Sequence, residues 1–141
     1  MTKNLLQIAV LHSKAYRFLR ADVAKMLAPF ALSLSEWSIV SLLAQNPQIL
    51  SSEIANTLGV ELPLVTNLVN ALETRKLILK GKGLQDHRQR SLTLTPTGKS
   101  IAKKVQKHLA KKLALYFSDV PQKNIDTYIS VMEAIVKKRV Q

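Results

Sequence analysis

The residues best suited to chemistry in this chain cluster in one short stretch, Asp86-His87-Arg88-Gln89-Arg90, followed by Ser91-Leu92-Thr93-Leu94-Thr95. The first five read as a tight basic turn. The next five alternate, with Leu92 and Leu94 on one side and Ser91, Thr93 and Thr95 on the other, which predicts a short strand. Upstream, Leu77-Ile78-Leu79-Lys80 predicts a second strand, and Gly81 and Gly83 supply the permissive backbone for the bend between the two. The ribbon so formed carries Lys80, Lys82, Arg88 and Arg90 with a single acid, Asp86. Such a tip is shaped to lie against a polyanion, and an arginine on a thin ribbon can enter the narrow, strongly negative minor groove of duplex DNA. Asp86, two residues before Arg88, is placed to pair with its guanidinium and stiffen the tip. A solvated hairpin with ordinary surface charge is the alternative, and the ribbon alone does not decide between them.

Composition leans toward the anionic partner. The chain has 21 lysines and arginines against 9 acids, a formal charge of +12. So much like charge self-repels unless an anion is at hand, which points to nucleic acid or an anionic membrane surface. The excess is uneven: between Lys80 and Lys112 ten basic residues stand against Asp86 alone. Cysteine is absent, which excludes disulfides, thiolate metal sites and cysteine redox sensing. His12, His87 and His108 show no ligand spacing with each other or with carboxylates, so neither a metal nor another cofactor is expected. No glycine-rich phosphate loop, nucleophile elbow or pair of catalytic carboxylates is present, which argues against an enzyme. The apolar run from Leu5 to Leu11 is interrupted by Gln7 and soon meets His12, Lys14 and Arg17, too short and polar to span a bilayer and without a cleavage site. A cytoplasmic protein with no membrane partner is expected, built as one domain or two closely merged ones from its 141 residues.

Helices must position the ribbon. Apolar residues recur from about Lys3 to Ala28 and stop before Pro29. Ser33-Leu34-Ser35-Glu36 has capping-box spacing and predicts a helix running to Asn46-Pro47. A third helix is expected from Ser51 to Leu58, with Gly59 at its C-terminal turn, and a fourth from Leu62 to Arg75. After the two strands, a long basic helix is expected from Thr97 or Thr95 to about Phe117, and a last one from Gln122 to Arg139 beyond Pro121. Two short helices joined by a glycine-containing turn form the helix-turn-helix unit. In the fourth helix Val65, Leu68, Val69 and Leu72 make a buried stripe, while Pro63, Thr66, Asn67, Asn70 and Thr74 share the opposite side. An outward asparagine can bond adenine bidentately in the major groove, and a threonine can touch a phosphate or a thymine methyl. An amphipathic helix with an uncharged polar face is the plainer account of that side. Helix, turn, helix, basic ribbon and surplus charge in this order are more specific than any one of them.

With these residues in place the chain resembles the multiple-antibiotic-resistance regulator (MarR) family of winged-helix repressors. The similarity is clearest over Leu32 to Lys99. It rests on Leu32-Ser33-x-x-Glu36-Trp37, Glu53-Ile54-Ala55-x-x-Leu58-Gly59-Val60, Val65-Thr66-x-Leu68-Val69-x-x-Leu72-Glu73, Asp86-x-Arg88 and Leu92-x-Leu94-Thr95-x-x-Gly98. The resemblance implies a mainly α fold: a winged helix-turn-helix lobe over residues 31–97, flanked by an N-terminal dimerisation helix (1–30) and C-terminal dimerisation helices (98–141). It implies a homodimer acting as a transcriptional regulator, a repressor by preference, on a pseudo-palindromic operator in double-stranded DNA. The fourth helix would lie in the major groove and Arg88, supported by Asp86, in the minor groove. DNA contacts are expected from Pro63, Thr66, Asn67, Asn70, Lys80, Lys82, Asp86, Arg88 and Arg90. A small-molecule effector is a further expected partner, its identity open. Tyr16, Phe30 and Trp37 are candidates to line its cleft, although core packing is the commoner use of such aromatics.

Three departures from the family pattern bear on specificity. The fourth helix opens with Glu61, Leu62, Pro63 and Leu64 where family members place small polar or basic residues, Asn67 stands where a basic residue is common, and Lys76 where a glycine usually ends the helix. Base readout is therefore expected to be sparse, with phosphate contacts carrying more of the affinity and a steep salt dependence. This keeps open an architectural DNA- or RNA-binding protein without sequence choice, whereas a protein-interaction module fits the positive charge poorly. The stripes Ile101, Val105, Leu109, Leu113 and Ile125, Tyr128, Ile129, Met132, Ile135, Val136 offer more apolar surface than one small lobe can cover, which independently favours a dimer.

Overall fold

The computed structural model describes residues 2–81 and 91–139; Lys82, Asp86, Arg88 and Arg90 lie outside them. The elements run α1 (Thr2–Leu27), α2 (Leu34–Gln45), β1 (Ile49–Leu50), α3 (Ser51–Leu58), α4 (Leu62–Thr74), β2 (Ile78–Lys80), β3 (Ser91–Leu94), α5 (Pro96–Leu113) and α6 (Gln122–Arg139). Short 3-10 turns cover Ala28–Phe30 and Ala114–Tyr116. They group into two compact units, Met1–Leu109 and Ala110–Gln141. The mainly helical fold with a small sheet is the one expected.

Local chemistry sets most boundaries. At the start of α2 the capping box closes in both directions: the Glu36 amide donates to Ser33 Oγ at 3.1 Å, and the Ser33 amide donates to Glu36 Oε2 at 2.8 Å. Gly59 ends α3 at φ 65, and the Val60 amide reaches back to the Ala55 carbonyl at 3.0 Å. α4 ends the same way, but with Lys76 at φ 58 in the place of glycine; its amide and that of Leu77 return to Glu73 and Leu72 at 2.8 and 2.9 Å. α5 gives way to a 3-10 turn after Leu113, four residues short of the expected Phe117.

The sheet has three antiparallel strands in the order β1-β3-β2, one more than the expected ribbon. Ile49 pairs with Leu92 and Leu50 with Ser91, while Ile78, Leu79 and Lys80 pair with Leu94, Thr93 and Leu92. The central strand alternates as its sequence predicts, with Leu92 and Leu94 buried. Thr95 departs from that alternation: it was expected outward and is buried at 8% exposure. Its hydroxyl explains why, donating to the Lys76 carbonyl at 2.7 Å and accepting the Gly98 amide at 2.9 Å, so one side chain joins the end of α4, the end of β3 and the first turn of α5.

The core sits where α2, α3, α4, the sheet and α5 meet, on Ile39, Val40, Ile54, Val65, Val69, Leu72, Ile78, Leu92 and Val105, each almost wholly buried. Burying one such side chain is worth about 1.5–3 kcal/mol, so this cluster fixes the orientation of α4 against the sheet. α1 contributes to it only near its C-terminal end, where Leu27 is fully buried; Leu5, Leu6, Ile8, Val10, Leu11 and Phe18 are all more than half exposed. In the second unit Tyr128, Ile135 and Val136 are likewise more than half exposed. Among the described residues no single helix is long and apolar enough to cross a membrane.

Candidate nucleic-acid interface

α4 is held by its apolar side. Val65, Val69 and Leu72 are buried, Leu68 half-buried, and Arg75 just past the helix end pairs with Glu36 at 3.4 Å and donates to the Phe30 carbonyl at 3.4 Å. The helix is thereby fastened to α2 at one end and, through the α3–α4 turn, to α3 at the other. Its opposite side is left to solvent. Pro63, Thr66, Asn67 and Asn70 are all exposed, spaced as one face of a helix requires.

The chemistry of that face is specific to each residue. Pro63 lies in the first turn, where a missing amide hydrogen costs nothing. Thr66 donates its hydroxyl to the Leu62 carbonyl at 3.0 Å, which leaves its methyl and one oxygen lone pair outward. The Asn67 side chain makes no hydrogen bond among the described residues. Glu61 precedes the helix in extended conformation (φ -70, ψ 140) and makes no side-chain cap, as its chemistry predicts. Leu62 and Leu64, at the start of the helix, are both 45% exposed.

Lys80 and Asn70 come together although ten residues separate them. Lys80 ends β2, opposite Leu92, and its Nζ lies 2.6 Å from Asn70 Oδ1 and 2.7 Å from Glu73 Oε2. The ammonium is thus bound to the recognition-helix candidate rather than projecting alone from the ribbon. Glu73 was not among the expected site residues. Its position three residues after Asn70 places both on one side of α4, which is the signal that could have found it. The remaining expected contacts, Lys82, Asp86, Arg88 and Arg90, belong to the segment between β2 and β3 outside the described residues.

A concavity lies behind α4. Tyr16 and Arg20 of α1, Leu34, Ser35, Ser38 and Ile39 of α2, and Leu58, Val60, Leu64, Val65 and Leu68 enclose a cavity of about 210 Å³. Tyr16 is 53% exposed, so it is not the core aromatic it was expected to be. Phe30 is half-buried and meets the His108 ring edge-on at 5.5 Å, and Trp37 is half-buried in α2.

Residues 32–89 match the model of the MarR family. Over 88 residues the chain is 27% identical to the HTH-type transcriptional repressor Rv2887 of Mycobacterium tuberculosis, an alignment that covers 62% of this chain and 63% of that protein, less than two thirds of its length. The fold is similar to that of the transcriptional repressor CouR bound to a 23-mer DNA duplex, with a TM-score of 0.84 and 27% identity over 96% of this chain and 94% of that one. It is also similar to CouR from Rhodococcus jostii RHA1 bound to p-coumaroyl-CoA, with a TM-score of 0.82 and 20% identity over 91% and 90% of the two chains. Residues 32–89 thus match the MarR family, and the fold of the chain is similar to that of these solved repressors.

Proposed function

We infer that the protein is a homodimeric, sequence-specific DNA-binding transcriptional repressor, with α4 in the major groove and the segment between β2 and β3 in the minor groove. The observation that carries the reading is the outward face of α4. Pro63, Thr66, Asn67 and Asn70 are exposed together and uncharged, the last three with hydrogen-bonding side chains, on a helix whose other side is locked into the core of a chain with formal charge +12. The similarity to a repressor solved on a DNA duplex supports the same placement. In this reading Arg88 enters the minor groove, Asp86 holds its guanidinium, and Lys82 and Arg90 neutralise phosphates. Two copies related by a two-fold axis would read half-sites about one helical turn apart.

The test is binding to a duplex recovered by selection from a random pool. Arg88→Ala should nearly abolish binding to it, and Asn67→Ala should chiefly relax the sequence preference. Equal affinity of wild type and Arg88→Ala at physiological salt would refute the placement of the wing. A second reading, an architectural protein without sequence choice, is favoured by one observation: the exposed Leu62 and Leu64 stand where base-reading groups belong. Competition with unrelated duplex separates the two, since a regulator should prefer its own site by at least roughly 10³-fold.

Release of DNA by a small molecule is the remaining part of the proposal. The cavity beside α1 combines one cation, Arg20, the hydroxyls of Ser35 and Tyr16, and apolar walls from Ile39, Leu64 and Leu68, a lining suited to a small aromatic acid. Because Leu64, Val65 and Leu68 belong to α4, a ligand there would act directly on the helix that meets DNA. Aromatic carboxylates should raise the melting temperature of the protein and weaken its binding to the selected duplex; Arg20→Ala should remove both effects.

A further inference from the structure

The contact between Lys80 and Asn70 fixes which way the asparagine amide faces, and with it the base that this side chain can read. An ammonium group has three donors and no acceptor. The atom of Asn70 that lies 2.6 Å from Lys80 Nζ therefore has to be the carbonyl oxygen; the opposite amide orientation would set donors against donors. Glu73 Oε2, at 2.7 Å from the same nitrogen, holds the ammonium in place from the helix side. The Lys80 side chain is 24% exposed, and Asn70 is exposed. What Asn70 presents outward is consequently its amide nitrogen, with two N–H donors, beside a cation that repels any further donor approaching the oxygen.

Bidentate recognition of adenine needs the opposite arrangement, one acceptor and one donor offered together to N6 and N7. Guanine offers two acceptors, O6 and N7, on its major-groove edge. Resting on the DNA-binding reading above, we propose that Lys80 and Glu73 orient the Asn70 amide of α4 with its N–H donors leading outward, so that it favours guanine, with two acceptors, over adenine in each half-site. Asn70 is the specificity-determining residue. Lys80 is a positioning residue, acting through the asparagine it orients rather than as a phosphate contact of its own.

Selection of bound sequences from a random duplex pool, run with wild type, Asn70→Ala and Lys80→Met, tests this. Circular dichroism and melting temperature confirm that each variant is folded, and Lys80→Met keeps an unbranched side chain along the strand. In the wild-type consensus one guanine column per half-site should lose about tenfold discrimination on Asn70→Ala. The same column should move toward adenine on Lys80→Met, because the freed carbonyl becomes an acceptor. An adenine column lost on Asn70→Ala, a uniform weakening with every column unchanged, or a guanine column unaltered by Lys80→Met would each overturn the proposal. Absence of any enriched sequence for wild type would instead overturn the sequence-specific reading on which it rests, and is seen before a variant is compared.

Discussion

Lys76 just past α4 and Gly98 in the first turn of α5 show two different costs of a Cβ atom. Lys76 adopts φ 58, a left-handed conformation that disfavours a side chain by roughly 1 kcal/mol, yet the helix end depends on it for the two return hydrogen bonds from Lys76 and Leu77. Lys76→Gly should therefore raise stability by about 1 kcal/mol, less what a freer unfolded chain takes back. Urea denaturation measures it, and a lower midpoint at unchanged slope would contradict it. Gly98 is the reverse case. A Cβ there would collide with the Leu77 carbonyl oxygen and press on the Leu94 side chain. That carbonyl already accepts the Thr95 amide at 3.0 Å, so it is not free to retreat. Gly98→Ala should cost about 1–3 kcal/mol, read as a melting temperature lower by several degrees. An unchanged melting temperature would mean that α5 shifts away from the sheet without penalty.

At the level of elements, α4 carries both the strongest and the weakest design of the molecule. Its buried side is complete, but Glu61 at its N-cap makes no side-chain cap, so that the Leu64 amide is met only by the Glu61 carbonyl at 3.1 Å, and it sets a carboxylate where phosphates are proposed to pass. Glu61→Ser should stabilise the protein by about 1 kcal/mol through capping and tighten binding to the selected duplex. Parallel unfolding and affinity measurements separate the two effects; a gain in neither would show that the turn between α3 and α4 satisfies the amides of the first turn by other means. This helix and its neighbours were legible in the sequence because their signals are local: Ser33 with Glu36, Gly59, the spacing of Val65, Val69 and Leu72, and Pro121 before α6. Elements defined by distant partners were not. β1 is two residues long, too short to alternate, and is a strand only because β3 pairs with it from more than forty positions away. Thr95 is buried by a helix end and a helix start that strand alternation does not include. The Lys80, Asn70 and Glu73 cluster joins a helix to a strand, so residue types predicted each member as a contact or ignored it, and only the fold brings the three together.

For the whole molecule the unresolved tension is between charge and exposed apolar surface. A single copy carries +12 and leaves Leu6 and Val10 of α1 67% and 68% exposed. Exposed stripes of this kind mark an interface, and a second copy is the occupant in the homodimer proposed above. Association of two such cations is opposed by their net charge, and it is helped when both lie against one polyanion. Leu6→Glu with Val10→Glu puts two carboxylates one turn apart on that stripe. Both positions are open to solvent in the protomer, so the lobe should keep its melting behaviour while the dimer is lost. Sedimentation should then find wild type as a dimer and the double variant as a monomer. The two forms should also differ on DNA. Each phosphate neutralised adds about -0.9 to the slope of log affinity against log salt, so halving the number of lobes in contact should roughly halve the slope. A double variant that stays dimeric would remove α1 from the interface, and a monomer with the full wild-type slope would show that one lobe makes all the phosphate contacts.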